Sequence, residues 1–451
     1  MTRMRYAYLF LALLLIALPL FAESPITGSV RVRVENWQWF ETPDADDGYT
    51  FLGAQLRLAA KRKLGSVEGQ LEIAAPVLWN LPERAALAAP RGQLGLGGAY
   101  FQANGDTDAA AVFVKQAFLR AGGLRIGRFE FADGSEHVPA DAQLAALRRD
   151  HIAHRLIGTF AFSHVGRSLD GVQFDARNWT LLAARPTAGV FRVHGGRNLD
   201  VDLLYASWVR STASSDARLF AIGYRDEREV VKTDNRSAAA RAADREPIKI
   251  GTLGGHYIAR RGIANALVWG ASQWGDWGSL RHRAFAFDAE AGVQLAKTSV
   301  RAGWYRSSGD ADPADGDHRT FFQLLPTPRF YARFPFYNAM NSNDAFVQVG
   351  AKPHAKLSLQ SEIHRLALSS KRDLWYAGGG AYDDNAFGYA GRPASGRNGL
   401  ATVVDLSADY KPNANTSVTF YVARAFGGEV VKSIFEGDSA TFGYVEVVKR
   451  F

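Results

Sequence analysis

From residue 25 to the C-terminus, apolar and polar side chains alternate one by one in run after run. Val30, Val32 and Val34 alternate with Arg31, Arg33 and Glu35. Phe285, Phe287, Ala289, Ala291, Val293 and Leu295 stand against Asp288, Glu290 and Gln294. Val404, Leu406, Ala408 and Tyr410 stand against Asp405, Ser407 and Asp409. A period of two places one kind of side chain on each face of a β-strand. Several runs approach the roughly ten residues that a tilted membrane strand needs. Beyond the N-terminus no stretch of about 18 apolar residues occurs, so a later membrane helix is excluded. Such strands either bury their apolar faces against one another in a soluble sandwich or turn them outward to lipid. In lipid the sheet has to close, because a free edge leaves backbone groups without partners.

Strand length, a charged polar face and the chain end favour the membrane solution. The chain finishes on Phe451, with Phe442 and Tyr444 shortly before it, as a last amphipathic barrel strand does; Lys449 interrupts its apolar face. Connectors alternate in length. Short ones fall at 260–262, 351–354 and 411–415; long ones fall at 77–110, 132–166, 226–247, 306–344 and 367–400. Short periplasmic turns and long extracellular loops are the outer-membrane pattern. The expected fold is all-β: a single transmembrane antiparallel β-barrel over 23–451, of 16–18 strands with 18 favoured. Arg3 and Arg5 precede an uncharged apolar run from Ala7 to Ala22. A basic start, a short apolar run and a small residue predict a signal peptide over 1–22. The expected location is therefore the outer membrane of a Gram-negative-type bacterium.

Composition removes several chemistries. The chain has no cysteine, which excludes disulfides, thiolate metal sites and cysteine nucleophiles. A formal net charge of +8, mixed in sign along the chain, gives no basic tail for nucleic acid. His151 and His154 sit three apart without a further ligand set, and the acidic turn from Asp310 to Asp317 lacks calcium-loop spacing, so no metal or cofactor is expected. Gly437-Asp438-Ser439 matches a lipase tripeptide, but no G-x-S-x-G occurs and no base can be paired with Ser439. The chain does not read as an enzyme.

Residues 115–175 are the most distinctive. They carry Arg125, Arg128, Arg148, Arg149, Arg155 and Arg167 among Glu130, Glu136, Asp141, Asp150 and Asp170, with helical spacing over 140–150. Guanidinium groups bind carboxylates by paired hydrogen bonds, and rings of them select anions. A ladder of salt bridges holding an inward loop fits the same residues. A second aromatic and basic stretch, 326–337, suits either sugar rings or a loop packed on its own aromatics.

Two blocks resemble the alginate-export outer-membrane proteins. One is Lys115-Gln116-Ala117-Phe118-Leu119-Arg120 with Ile126-Gly127-Arg128-Phe129, Arg155-Leu156-Ile157-Gly158 and Arg167-Ser168-Leu169-Asp170-Gly171-Val172. The other is Leu374-Trp375-Tyr376, Val404-Asp405-Leu406, Tyr410, Tyr421 and Phe426-Gly427-Gly428. The resemblance implies an 18-stranded barrel with an arginine-lined constriction that passes an anionic polyuronate. The arginines it carries over are Arg128, Arg155 and Arg167. Strand parity separately suggests Arg31, Arg33, Arg57, Arg177 and Arg301 as wall cations, with Glu35, Glu72, Asp175, Asp288 and Glu290 cancelling part of their field.

Three functions remain distinct at this stage. The first is a channel for an anionic polysaccharide or small anions, embedded in outer-membrane lipid and served by periplasmic export partners. The second is a general or weakly selective porin. The third is an outer-membrane lipid or glycan enzyme. Unpaired lumen arginines favour the first, closely paired charges the second, and an inward Ser–His pair the third.

Overall fold

The computed structural model of the chain describes residues 26–327 and 333–451. Eighteen antiparallel strands form one closed sheet. They are β1 (Ile26–Gln38), β2 (Gly48–Leu64), β3 (Val67–Trp79), β4 (Phe113–Ala121), β5 (Leu124–Phe129) and β6 (Leu169–Ala176). Next come β7 (Trp179–Pro186), β8 (Val201–Ser211), β9 (Ser215–Asp226), β10 (Ile248–Arg261), β11 (Ala264–Trp277) and β12 (Leu280–Gln294). The last six are β13 (Thr298–Ser307), β14 (Ser342–His354), β15 (Leu357–Leu368), β16 (Gly399–Asn413), β17 (Thr416–Gly427) and β18 (Ser439–Arg450). Each pairs with its neighbours in the chain, and β1 closes on β18 from Ser29↔Arg450 to Gln38↔Thr441.

The alternation has the consequence the sequence predicts. Val30, Val34, Leu204, Leu253, Val268 and Val404 are exposed on the outside, while Arg33, Glu35, Gln55, Glu72 and Arg301 are buried within. An apolar outer surface of this extent is tolerated only where lipid solvates it. Exposed aromatics mark its two borders: Trp179, Tyr257, Tyr410 and Phe451 at the turn end, and Trp274, Phe285, Trp304 and Phe426 at the loop end.

Both described chain ends and the short turns share one rim. In the two-residue turns Gly122 (φ 56°) and Gly262 (φ 58°) take the left-handed conformation that such turns require. Arg177 (φ 49°) fills the same role between β6 and β7 and is exposed there. Wall parity therefore fails for Arg177: the strand has ended at Ala176, and the side chain is on the rim. The other end carries the long connections, with one departure, the two-residue link between Trp277 and Leu280. A hairpin, Leu374–Gly378 with Tyr389–Pro393, is built within the 369–398 loop and belongs to a separate two-stranded sheet. The predicted signal peptide lies outside the described residues, as do Pro328, Arg329, Phe330, Tyr331 and Ala332 of the aromatic stretch. Phe334 and Phe336 from that stretch are buried, and Phe334 packs on Trp37 and Phe442.

Candidate functional site

The segment 130–168 folds into the barrel between β5 and β6. Its helical turn, Ala142–Leu147, is capped by Asp141, whose side chain accepts from Gln143 N and Leu144 N, and it continues into a wider turn, Arg148–Ile152. Beyond it the backbone from Ala161 to Val165 lies against the wall. Arg31 Nη1 donates to Ala161 O at 2.5 Å, and Arg31 Nη2 donates to Ser163 O. Arg33 Nη2 donates to Phe162 O at 2.7 Å, Gln55 Nε2 to His164 O at 2.7 Å and Lys115 Nζ to Val165 O at 3.1 Å. Gly53 makes the approach possible, since a Cβ there would lie 2.2 Å from His164 Cε1. Burial beside Arg33 and Arg31 holds the His164 pKa well below the ordinary histidine value, so the ring is neutral against the wall.

The same cations meet carboxylates. Arg33 Nε donates to Glu35 Oε1 at 2.8 Å and Arg33 Nη1 to Glu446 Oε2 at 3.2 Å. Arg57 bridges Glu72 and Glu130, reaching Glu130 Oε2 at 2.8 Å. Arg155 pairs with Asp288 and lies 3.7 Å from Glu290. Glu290 also accepts from Arg301 at 3.0 Å and contacts His151 at 2.9 Å. Arg218 spans Asp133 at 3.2 Å and Glu136 at 2.9 Å, and Arg148 reaches Asp216 at 3.4 Å. Apart from Arg57, Glu130 and Glu446, which are partly exposed, these groups are buried in pairs, which is how charge survives away from water.

Arg167 has no carboxylate partner among the described residues. Its Nη1 donates to Gly158 O at 3.0 Å and Leu325 O at 2.9 Å, and its Nη2 to Gly379 O at 2.7 Å and Ala381 O at 3.2 Å. One buried guanidinium thus ties three loops together.

Arg128 departs from the lumen expectation. It shares the outward parity of Leu124 and Ile126, and it forms a two-bond pair with Asp170, each bond 2.6 Å. Asp170 lies in register with Arg185, which is half-exposed and pairs with Asp202 at 2.7 Å. The block carrying the resemblance therefore spans both sides of the wall. Of the eight arginines singled out, Arg31, Arg33, Arg57 and Arg301 face inward from strands, Arg155 and Arg167 sit on the inward loop, and Arg128 and Arg177 lie elsewhere. Arg148 and Arg218 complete the buried network; Arg218 carries the inward parity of β9 but was not among the residues chosen from the sequence.

Ser439 Oγ meets Arg424 Nη2 at 3.4 Å. No group of three or more His, Asp or Glu side chains is placed to hold a metal ion among the described residues.

Two cavities flank the pinned loop. One of about 220 Å³ opens toward the turn end, lined by His151, Arg301, Gln348, Gln360 and Asp409 among others. The other, about 230 Å³, lies among the long loops and is lined by Trp39, Phe162, Phe191, Tyr389 and Arg392 among others.

A closed eighteen-stranded barrel with an apolar outer band, two aromatic borders and a loop-filled lumen is a channel-type protein of the outer membrane. A family model described as alginate export matches residues 96–443, and the chain belongs to the alginate-export family. No curated protein sequence matches it. Among solved structures it is similar to OccAB1 of Acinetobacter baumannii, with 9% identity, a TM-score of 0.58 and coverage of 96% of this chain and 99% of that one. OpdK of Pseudomonas aeruginosa gives 11% identity, a TM-score of 0.56 and coverage of 95% and 99%. OpdO of the same organism gives 14% identity, a TM-score of 0.52 and coverage of 95% and 97%. At these identities the likeness concerns the fold alone.

Proposed function

We propose that this barrel is a weakly selective channel for small hydrophilic solutes, with charges in its lumen balanced rather than arrayed for anions. The pairing of its inward arginines supports this reading. Arg33, Arg57, Arg155, Arg218 and Arg301 each contact a carboxylate, and Arg31, Arg33 and Arg167 hold loop carbonyls. A guanidinium already committed to a carboxylate presents a dipole, not a charge, to a passing solute. Passage of an anionic polysaccharide is the second reading, favoured by family membership.

The deciding measurement is reversal potential in a planar bilayer under a salt gradient, followed by polyuronate added to one side. The first reading expects a reversal potential near zero in concentrated salt and no block. Strong anion preference with dose-dependent block would overturn it in favour of the second.

A further inference from the structure

The cavity among the long loops differs in chemistry from the wall. Its lining includes the aromatics Trp39, Phe160, Phe162, Phe191 and Phe387 beside Gln102, and among the described residues it contains neither aspartate nor glutamate. The one cation among those residues is Arg392, from the loop hairpin Leu374–Gly378 with Tyr389–Pro393.

Arg392 is 1% exposed. Its Nε donates to Arg91 O at 2.8 Å and its Nη2 to Gln93 O at 2.6 Å. Its Cζ lies over the Trp375 ring, 4.5 Å from the centroid. Its Nη1 has no hydrogen-bond partner among the described residues, and no carboxylate pairs with it there. Burial pushes its pKa down to about 9. Arginine nonetheless remains the charged form at neutral pH, so a cation without a described carboxylate partner borders an aromatic-rich cavity. Arg167, the other carboxylate-free guanidinium described above, spends both of its Nη groups on four carbonyls and leaves only Nε without a partner. Arg392 leaves a whole terminal Nη1 group over.

The chemistry that completes this site is an anion with an apolar body. The carboxylate would supply the acceptor and counter-charge that Arg392 lacks, and the aromatic walls would take the body. Size narrows the body further. The cavity of about 230 Å³ is smaller than the roughly 300 Å³ at which pockets for drug-sized ligands begin. We propose that this cavity is a binding site for a small amphiphilic monoanion, a single carboxylate on one apolar ring, held at Arg392 on the loop side of the lumen. The proposal deepens the channel reading and rests on it for the solute's route, though not for its binding.

The test uses the whole barrel in detergent and benzoate as the probe, with binding followed by calorimetry. Saturable benzoate binding is expected, and benzyl alcohol and acetate, each lacking one half of the chemistry, should bind at least about tenfold more weakly. Arg392→Met should weaken benzoate by a similar factor. Ala99→Phe, which fills the cavity and keeps Arg392, should abolish binding even if Arg392→Met fails to fold; folding of each variant is checked by heat-dependent gel mobility. Benzoate binding no tighter than benzyl alcohol, or unchanged in both variants, would overturn the site. Bilayer conductance without benzoate binding sinks this inference and leaves the channel reading. Benzoate binding without conductance does the reverse.

Discussion

Replacing Arg167 separates two roles for a lumen arginine. Its guanidinium makes four hydrogen bonds of 2.7–3.2 Å to carbonyls in three loops. Hydrogen bonds to charged groups contribute about 1.5–3 kcal/mol each, and the abandoned carbonyls are buried. Against this, the guanidinium is itself buried without a carboxylate, and burial pushes its pKa down to about 10. Methionine at this position recovers part of that penalty. The net loss for Arg167→Met is then about 2–4 kcal/mol of loop packing, far below the sum of the bonds. At 1.4 kcal/mol per decade, the fraction of open loop rises by about 30- to 1000-fold. The barrel itself should persist, because no strand hydrogen bond passes through this side chain. Hydrogen exchange over 130–168 and single-channel conductance read the effect: faster exchange and larger, noisier openings. Arg167→Lys keeps the charge but loses the planar fork, so it should resemble the methionine variant. Wild-type exchange and conductance in Arg167→Met would refute the loop-holding role. Unchanged conductance with anion preference lost in Met and kept in Lys would show that Arg167 acts by its charge.

Arg128→Met should leave the reversal potential at its wild-type value, since Arg128 pairs with Asp170 on the outer face; a shift would place it in the solute path. Gly53→Val should push the 161–165 segment off the wall, because even a Cβ would lie 2.2 Å from His164 Cε1, and conductance should rise. Asp310 and Asp373 in the long loops are each pushed up to about 6 by burial. Asp373 accepts from Thr320 Oγ1 at 2.6 Å, Tyr376 OH at 2.8 Å and Asp310 N at 2.9 Å. Since their ordinary value is near 3.9, the folded loops bind more protons than unfolded ones, so packing is favoured at low pH and weakens as pH rises through about 6. A protease active across the range should cut loops 308–341 and 369–398 more slowly at pH 5 than at pH 7.5, and Asp373→Asn should shrink that difference.

The barrel was legible because its signal is local. Alternation along β12 or β16 states which side chains meet lipid, and the same parity turns Arg31, Arg33, Arg57 and Arg301 inward. Parity fails at Arg177 for an equally local reason, the start of a two-residue turn. Arg128 came from resemblance, and the outward parity of its neighbours Leu124 and Ile126 was available to correct it. What the inward groups meet was not legible. Arg33 bonds Phe162 across 129 residues, and Arg392 bonds Arg91 across 301. Such contacts depend on how several long loops share one lumen, and no spacing within the chain encodes them. Arg392 stood in a loop without pattern.

The location of the unpaired cations bears on the family's anionic cargo. Lysines and arginines crowd the turn end: Lys61, Arg62, Lys63, Arg120, Arg261 and Lys297 are exposed there, as are Lys352, Lys356 and Lys411. A cluster of exposed cations thus marks the periplasmic rim, while the inward arginines of the wall are paired with carboxylates. An exposed rim attracts anions over a distance set by salt, about 30 Å at 0.01 M but about 3 Å at 1 M. A buried, unbalanced lumen charge would be screened far less. Anion preference should therefore appear at low salt, be stronger for anions presented from the turn side, and vanish near 1 M. Replacing Lys61, Arg62 and Lys63 by glutamine should reduce it, whereas Arg301→Gln should not. A preference that survives 1 M salt and disappears with Arg301 would mean that the paired lumen, not the rim, discriminates, and the charge-balanced reading would fall.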